Sequence, residues 1–213
     1  MTSNEILDKL EEMFPNAECE LIHENPFQLA VAVVLSAQAT DVSVNKVTPE
    51  LFKKYPTPQT MAKADIKDIE KYIKTIGLYH NKAKSILGLA QGLVGEFDGV
   101  MPQTMDELIT LPGVGRKSAN VILSVCFEVP AIAVDTHVER ISKRLKFAYK
   151  NDTVLEVEKK LMRKIDKSRW NRAHHLFIFF GRYFCTARNP KCDECPFTEQ
   201  CCDTKAKKMK GIV

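Results

Sequence analysis

The sequence predicts an all-α protein, and three observations carry that prediction. Residues that start helices recur along the whole chain: Asn25-Pro26, Thr48-Pro49, and Thr-x-x-Glu at Thr104/Glu107, Thr136/Glu139 and Thr153/Glu156. Apolar residues recur at helical spacing. The regular apolar–polar alternation of a half-buried strand is missing.

The elements follow in order. Ile6, Leu7, Leu10, Met13 and Phe14 make one apolar face of a first helix. Asn25 reads as an N-cap, with Pro26 at the first helical position. The run through Leu35 is apolar on every side, which suits a buried central helix. Thr48-Pro49-Glu50-Leu51 repeats the cap-then-proline device and predicts another helix start. The three Thr-x-x-Glu pairs match the capping box, which satisfies orphan amides at a helix start. Val154, Val157, Leu161 and Ile165 share a face after the last of them. Val129 to Val134 reads as extended, with Pro130 breaking the helix before it.

Composition sets bounds around this. The chain has 213 residues, 45% hydrophobic and 27% charged, with a formal charge of +4. That is an ordinary globular balance, long enough for a real core, and only mildly basic. A nucleic-acid partner fits the charge but is not demonstrated by it. The apolar stretch Leu29 to Leu35 is too short to span a bilayer, so no membrane association is expected. The start, Met1 to Ile6, lacks a basic region followed by an apolar one. Seven cysteines without a secretory signal favour a reducing compartment and thiols used as ligands. The expected location is the cytoplasm.

Two features carry chemistry. In Leu111-Pro112-Gly113-Val114-Gly115-Arg116-Lys117, a short helix over Thr104 to Thr110 and a second over Lys117 to Phe127 flank a glycine turn. Leu111 and Val114 are expected to face inward, while Gly113 and Gly115 take positive φ or admit another backbone. Amides of such a turn and the next helix N-terminus can hold a phosphate without reading a base. A plain turn between helices is the alternative. Lys117 then offers an amine, which attacks carbon only when unprotonated, whereas a free lysine titrates near about 10.4. A helix N-terminus and partial burial would both disfavour its charge. Asp135, in Val134-Asp135-Thr136-His137, offers a carboxylate. A helix from Lys117 to Glu128 spans about 18 Å, and the extended residues after it, at about 3.3 Å each, can return that far. Asp135 also suits the cap of the next helix.

The second feature is Cys185-x6-Cys192-x2-Cys195-x5-Cys201, with Cys202 left over. Four soft ligands so close together suit an iron–sulfur cluster or structural zinc. The intervening Arg188, Lys191, Asp193 and Glu194 are poor core material, which argues against a shared core role. Lys205, Lys207, Lys208 and Lys210 read as a solvated tail that adds at most nonspecific attraction.

These motifs resemble the endonuclease III family of helix-hairpin-helix DNA glycosylases, with Leu111 to Asn120 close to its hairpin and the likeness running from about Phe27 to Cys201. The resemblance implies a two-lobed helical fold: a six-helix barrel over 19–129, with the hairpin motif at about 104–127, and a lobe joining 1–18 to 130–213. The cleft between would carry Lys117 and Asp135. It implies a bifunctional glycosylase and abasic-site lyase acting on oxidised pyrimidines in duplex DNA. Lys117 would attack C1′ and Asp135 would stabilise charge on the sugar; the resulting Schiff base allows β-elimination 3′ to the abasic site.

The cysteine spacing matches the family's 4Fe-4S loop, spanning 185–201, in which the cluster is structural; Cys185, Cys192, Cys195 and Cys201 would be its ligands. Phosphate contacts would come from Gly113, Gly115 and Arg116 in the hairpin and from Arg188 and Lys191 in the loop. A base inside a duplex must be extruded before it reacts, and the gap filled. The resemblance gives Gln38 to the vacated space and Leu78 to the wedge opposite. Thr40, Asp41 and His137 lie in the same DNA-contacting stretches. By spacing alone Leu78 is a core residue and Gln38 a surface amide. The implied partner is damaged double-stranded DNA, met by a monomer in a bacterial-type cytoplasm at the nucleoid. A monofunctional mismatch glycosylase and a noncatalytic iron–sulfur DNA-binding protein are the rival readings. The first usually lacks the lysine at 117, and the second needs neither Lys117 nor Asp135.

Overall fold

A computed structural model describes residues 1–203 of the chain, and every regular element among them is helical. The tail lysines Lys205, Lys207, Lys208 and Lys210 lie outside the described residues. No helix among the described residues is long and apolar enough to cross a membrane. The chain forms two compact units, Cys19–Val129 and Met1–Glu18 with Pro130–Val213.

The unit of Cys19–Val129 is built around α2 (Pro26–Leu35), started by Asn25, whose side chain accepts from the Gln28 amide. Phe27 through Leu35 are all buried, as an all-round apolar run requires. Packed on α2 are α3 (Asp41–Lys54), α6 (Tyr79–Glu96) and α8 (Arg116–Phe127); α4 (Pro58–Ala62) and α5 (Ile66–Ile73) pack on α6, and α7 (Met105–Leu108) on α8.

One expected helix start is corrected here. Thr48-Pro49 begins nothing, because α3 starts at Thr40, whose hydroxyl accepts from the Ser43 amide, and runs through Pro49. Thr48 is only 1% exposed and faces the core. Proline lacks the amide hydrogen that would reach Asn45 in the preceding turn. Asn45 is instead anchored through its side chain, which accepts from Ile22 N at 3.0 Å and donates to Glu20 O at 2.7 Å.

Helix α8 ends with Glu128 in the left-handed region, at φ 54, two residues before Pro130. Glycine normally holds that position, and a side chain there costs about 1 kcal/mol. Glu128 is exposed, so its replacement removes no packing. Glu128→Gly is expected to raise the melting temperature by about 2–4 °C in calorimetry. A lower value would mean the side chain makes a contact that outweighs the backbone strain.

The other unit joins α1 (Ser3–Met13) to α9 (Thr136–Arg144), α10 (Val154–Lys164) and α11 (Trp170–Phe179), which continues as a π-helical turn, Phe180–Phe184. Arg172 of α11 clasps the end of α1: it pairs with Glu11 and donates to the carbonyls of Phe14, Pro15 and Ala17. These carbonyls lie in the turn that follows α1, where Phe14 O also accepts from Ala17 N at 3.1 Å. Thr153 and Glu156 form the full capping box of α10. On that helix Val157, Leu161 and Ile165 are buried, but Val154 is 48% exposed and lies off the expected face. The Thr136–Glu139 box is corrected by one residue. Asp135 is the N-cap of α9, its carboxylate accepting from Val138 N at 2.7 Å, and Thr136 is the first helical residue.

Candidate functional site

The hairpin is built from local rules. Thr104 caps α7, accepting from the Glu107 amide and donating to the Glu107 carboxylate at 2.6 Å. Leu111 and Val114 are buried. Gly113 has φ +81, and a Cβ there would stand 2.9 Å from Ser85 Cβ and 3.1 Å from Val34 Cγ1. Gly115 is different: it is extended, at φ −94, and an added Cβ meets nothing within 4 Å. Only the first glycine therefore takes the expected positive φ. Gly115 is the N-cap of α8, which leaves that helix without a side-chain cap and its first amides available to an anion.

A paired substitution separates these roles. Gly113→Ala is expected to cost about 1–3 kcal/mol of stability in chemical denaturation, from backbone strain and crowding together. Gly115→Ala should cost only about 0.5–1 kcal/mol, the difference between glycine and alanine at an N-cap, yet still weaken DNA binding, because its open space is where a phosphate would approach. Unchanged affinity in Gly115→Ala, measured by fluorescence anisotropy, would contradict the phosphate role.

Arg116 and Lys117 are the first two residues of α8, and both are exposed. The expected partial burial of Lys117 is not found. Its side chain lies off the face that buries Ala119, Ile122 and Leu123. Its amine makes no hydrogen bond or ion pair among the described residues.

Asp135 is half-buried, after the buried stretch Ala131 to Val134. One carboxylate oxygen is taken by the cap, and the other has no partner among the described residues. His137 is also half-buried, with Nδ1 3.2 Å from Arg140, which donates to the Gly181 carbonyl at 2.7 Å.

Two loops carry residues in an unusual backbone state. Gln38 (φ 54) and Leu78 (φ 61) are both left-handed without being glycine. Leu78 is 59% exposed, so the core placement read from spacing is corrected. Such residues cost of order 1 kcal/mol each and cluster at functional sites. Thr40 caps α3, and Asp41 is its first residue.

Cys185, Cys192, Cys195 and Cys201 line one small cavity, together with Arg144 and Thr198. Arg144 donates to Cys185 Sγ at 3.1 Å and to the Thr186 carbonyl at 3.0 Å, and pairs with Asp203 at 3.1 Å. Burial pushes the Cys192 and Cys195 thiols up, and that of Cys201 to about 11. Thiols held up by burial become thiolates only against a bound cation, and four cysteines lining one space make a donor set that fits a metal cluster. Cys202 is exposed and its thiol bonds to the Lys143 carbonyl at 3.2 Å, away from that cavity. Arg188 and Lys191 are exposed on the loop, with Lys191 5.9 Å above the Phe184 ring. Arg144 was not foreseen, since its sulfur partner is 41 residues away and spacing carries no trace of the pair.

Comparison with known proteins gives consistent findings. Residues 31–167 match the HhH-GPD superfamily base excision DNA repair protein, and residues 185–201 match the iron-sulfur binding domain of endonuclease III. The chain is 54% identical over 207 residues to Endonuclease III of Bacillus subtilis, covering 97% of this chain and 94% of that one. It is 44% identical over 203 residues to Endonuclease III of Escherichia coli K12, covering 95% of each. Among solved structures, a trapped endonuclease III–DNA covalent intermediate with an estranged adenine matches at a TM-score of 0.92, with 52% identity and 99% of both chains covered. A thermostable thymine-DNA glycosylase shares the fold, at a TM-score of 0.82 and 22% identity over 96% of both chains.

Proposed function

The chain belongs to the HhH-GPD superfamily of base excision DNA repair proteins, within its endonuclease III family, and on that footing we propose a role for each residue of its site. The enzyme is a bifunctional DNA glycosylase and abasic-site lyase carrying a 4Fe-4S cluster. Lys117 is the nucleophile. Its neutral amine attacks C1′ of an extruded, oxidised pyrimidine nucleotide, and the base leaves with the electrons of the glycosidic bond. Asp135 stabilises the positive charge that develops on the sugar and moves the protons of the Lys117 amine. The sugar ring then opens, the C1′–O4′ bond breaking as O4′ takes a proton, and the iminium so formed at C1′ acidifies the C2′ proton. Its removal expels the 3′ phosphate and cuts the strand 3′ to the abasic site.

The remaining residues hold the DNA. Gly113, Gly115 and Arg116 take a backbone phosphate, as Arg188 and Lys191 do from the cluster loop. Gln38 fills the space left by the extruded nucleotide and Leu78 wedges opposite, supported by their exposed left-handed backbones. Thr40, Asp41 and His137 border these contacts. Cys185, Cys192, Cys195 and Cys201 hold the cluster, which keeps the basic loop in shape. We place the enzyme as a monomer on damaged duplex DNA, in a bacterial-type cytoplasm at the nucleoid, a reading supported by the bacterial origin of the relatives.

The observation that carries these roles is Lys117 itself: an exposed amine, unpaired among the described residues, at the uncapped start of α8, four residues after the left-handed Gly113. The test is a duplex with one oxidised pyrimidine and a 5′ label. A cut strand ending in a 3′ unsaturated aldehyde is expected. Accumulation of uncut abasic strand would assign the chain a monofunctional reaction instead.

A further inference from the structure

We propose that His80 contacts the base left unpaired opposite the lesion, favouring adenine there over guanine. This rests on the reading of Leu78 as the wedge into that strand.

His80 lies in the first turn of α6, two residues after Leu78. Two groups aim its ring, and a third steadies one of them. Glu70 of α5 stands 2.8 Å from Nδ1 and has a side chain only 11% exposed. The other oxygen of that carboxylate takes Lys67 at 3.3 Å. The Tyr79 ring lies against one face, with centroids 4.0 Å apart. Even so, the His80 side chain is 58% exposed, and Nε2 has no partner among the described residues.

The polarity of the exposed atom follows. The hydrogen bond from His80 is the main reason the Glu70 carboxyl is held below its usual range. An ionised carboxylate only accepts, so Nδ1 must carry the proton. In the neutral ring Nε2 is then an acceptor pointing outward. When a nucleotide is extruded, its partner keeps an unpaired edge. At the major-groove end of that edge adenine offers an N6 amino donor where guanine offers the O6 acceptor, and guanine's own donors, N1–H and N2, lie farther along; a neutral ring meeting that end bonds adenine and opposes guanine. A solvated surface histidine needs neither a buried carboxylate nor a stacked ring, and this one has both beside the wedge.

The test uses cluster-loaded enzyme in single-turnover cleavage of four duplexes that differ only in the base opposite one oxidised pyrimidine. Mildly alkaline buffer keeps an imidazole neutral. Wild type is expected to cut the adenine-paired duplex faster than the guanine-paired one. His80→Phe keeps a ring beside Tyr79 without nitrogens and should cut that ratio at least about fivefold, the worth of one hydrogen bond. Glu70 is a positioning residue: Glu70→Gln should lower the same ratio and shift the His80 ring 15N resonances away from the Nδ1-protonated tautomer. Leu78→Ala should instead slow cleavage equally against all four bases, and no effect there would overturn the wedge footing. An unchanged ratio in His80→Phe, or no adenine preference in wild type, overturns the proposal. So does a uniform fall across the four duplexes with a flatter salt dependence, which marks a phosphate contact.

Discussion

Lys117→Gln is expected to lower both base release and strand cleavage by at least about four orders of magnitude, the scale on which loss of an attacking group acts. An amide nitrogen has no lone pair to give to C1′, so neither step has a substitute inside the side chain. The fold should not notice. Lys117 is exposed and outside the buried face of α8, so stability should stay within about 0.5 kcal/mol of wild type. Affinity for a duplex with an abasic analogue should fall only a few-fold, since one of several positive contacts is removed. Single-turnover cleavage and anisotropy on the same preparation check both halves. Comparable losses of rate and affinity would make Lys117 a binding residue.

Asp135→Asn is expected to slow the reaction by about 10²- to 10⁴-fold, the range of general acid–base and electrostatic contributions. This substitution isolates chemistry from folding. Asparagine caps a helix as well as aspartate does, so the bond to Val138 N is kept and stability should hold. Asp135→Ala removes both functions and should cost about 1 kcal/mol of stability besides the rate. A full rate in Asp135→Asn would reduce Asp135 to a helix cap.

Signals that act over one turn of chain were legible in the sequence. Asn25-Pro26 and the Thr153–Glu156 box start helices in the positions expected, because a cap depends only on amides three residues away. The same locality explains the errors. Thr48-Pro49 carries the cap signature inside α3, where the helix already begins at Thr40 and tolerates a missing amide. Thr136 and Asp135 are both good caps one residue apart, and only the bond to Val138 decides between them. In the hairpin, the inward Leu111 and Val114 and the left-handed Gly113 were readable, while the extended Gly115 was not. By spacing alone Leu78 reads as core, yet its backbone is left-handed and its side chain exposed. Contacts made across the fold left no local trace. Arg144 reaches Cys185 from a helix 41 residues earlier, and Glu70 meets His80 across the turn between two helices.

The imine is the intermediate on which base release and strand scission both depend, and it can be caught. Wild-type, cluster-loaded enzyme is mixed with duplex DNA containing one abasic site, in the presence of borohydride, and the product is digested and mapped by mass spectrometry. A stable protein–DNA adduct on Lys117, lost in Lys117→Gln, is the expected result. An adduct mapped to another amine, or no adduct from active enzyme, would contradict it.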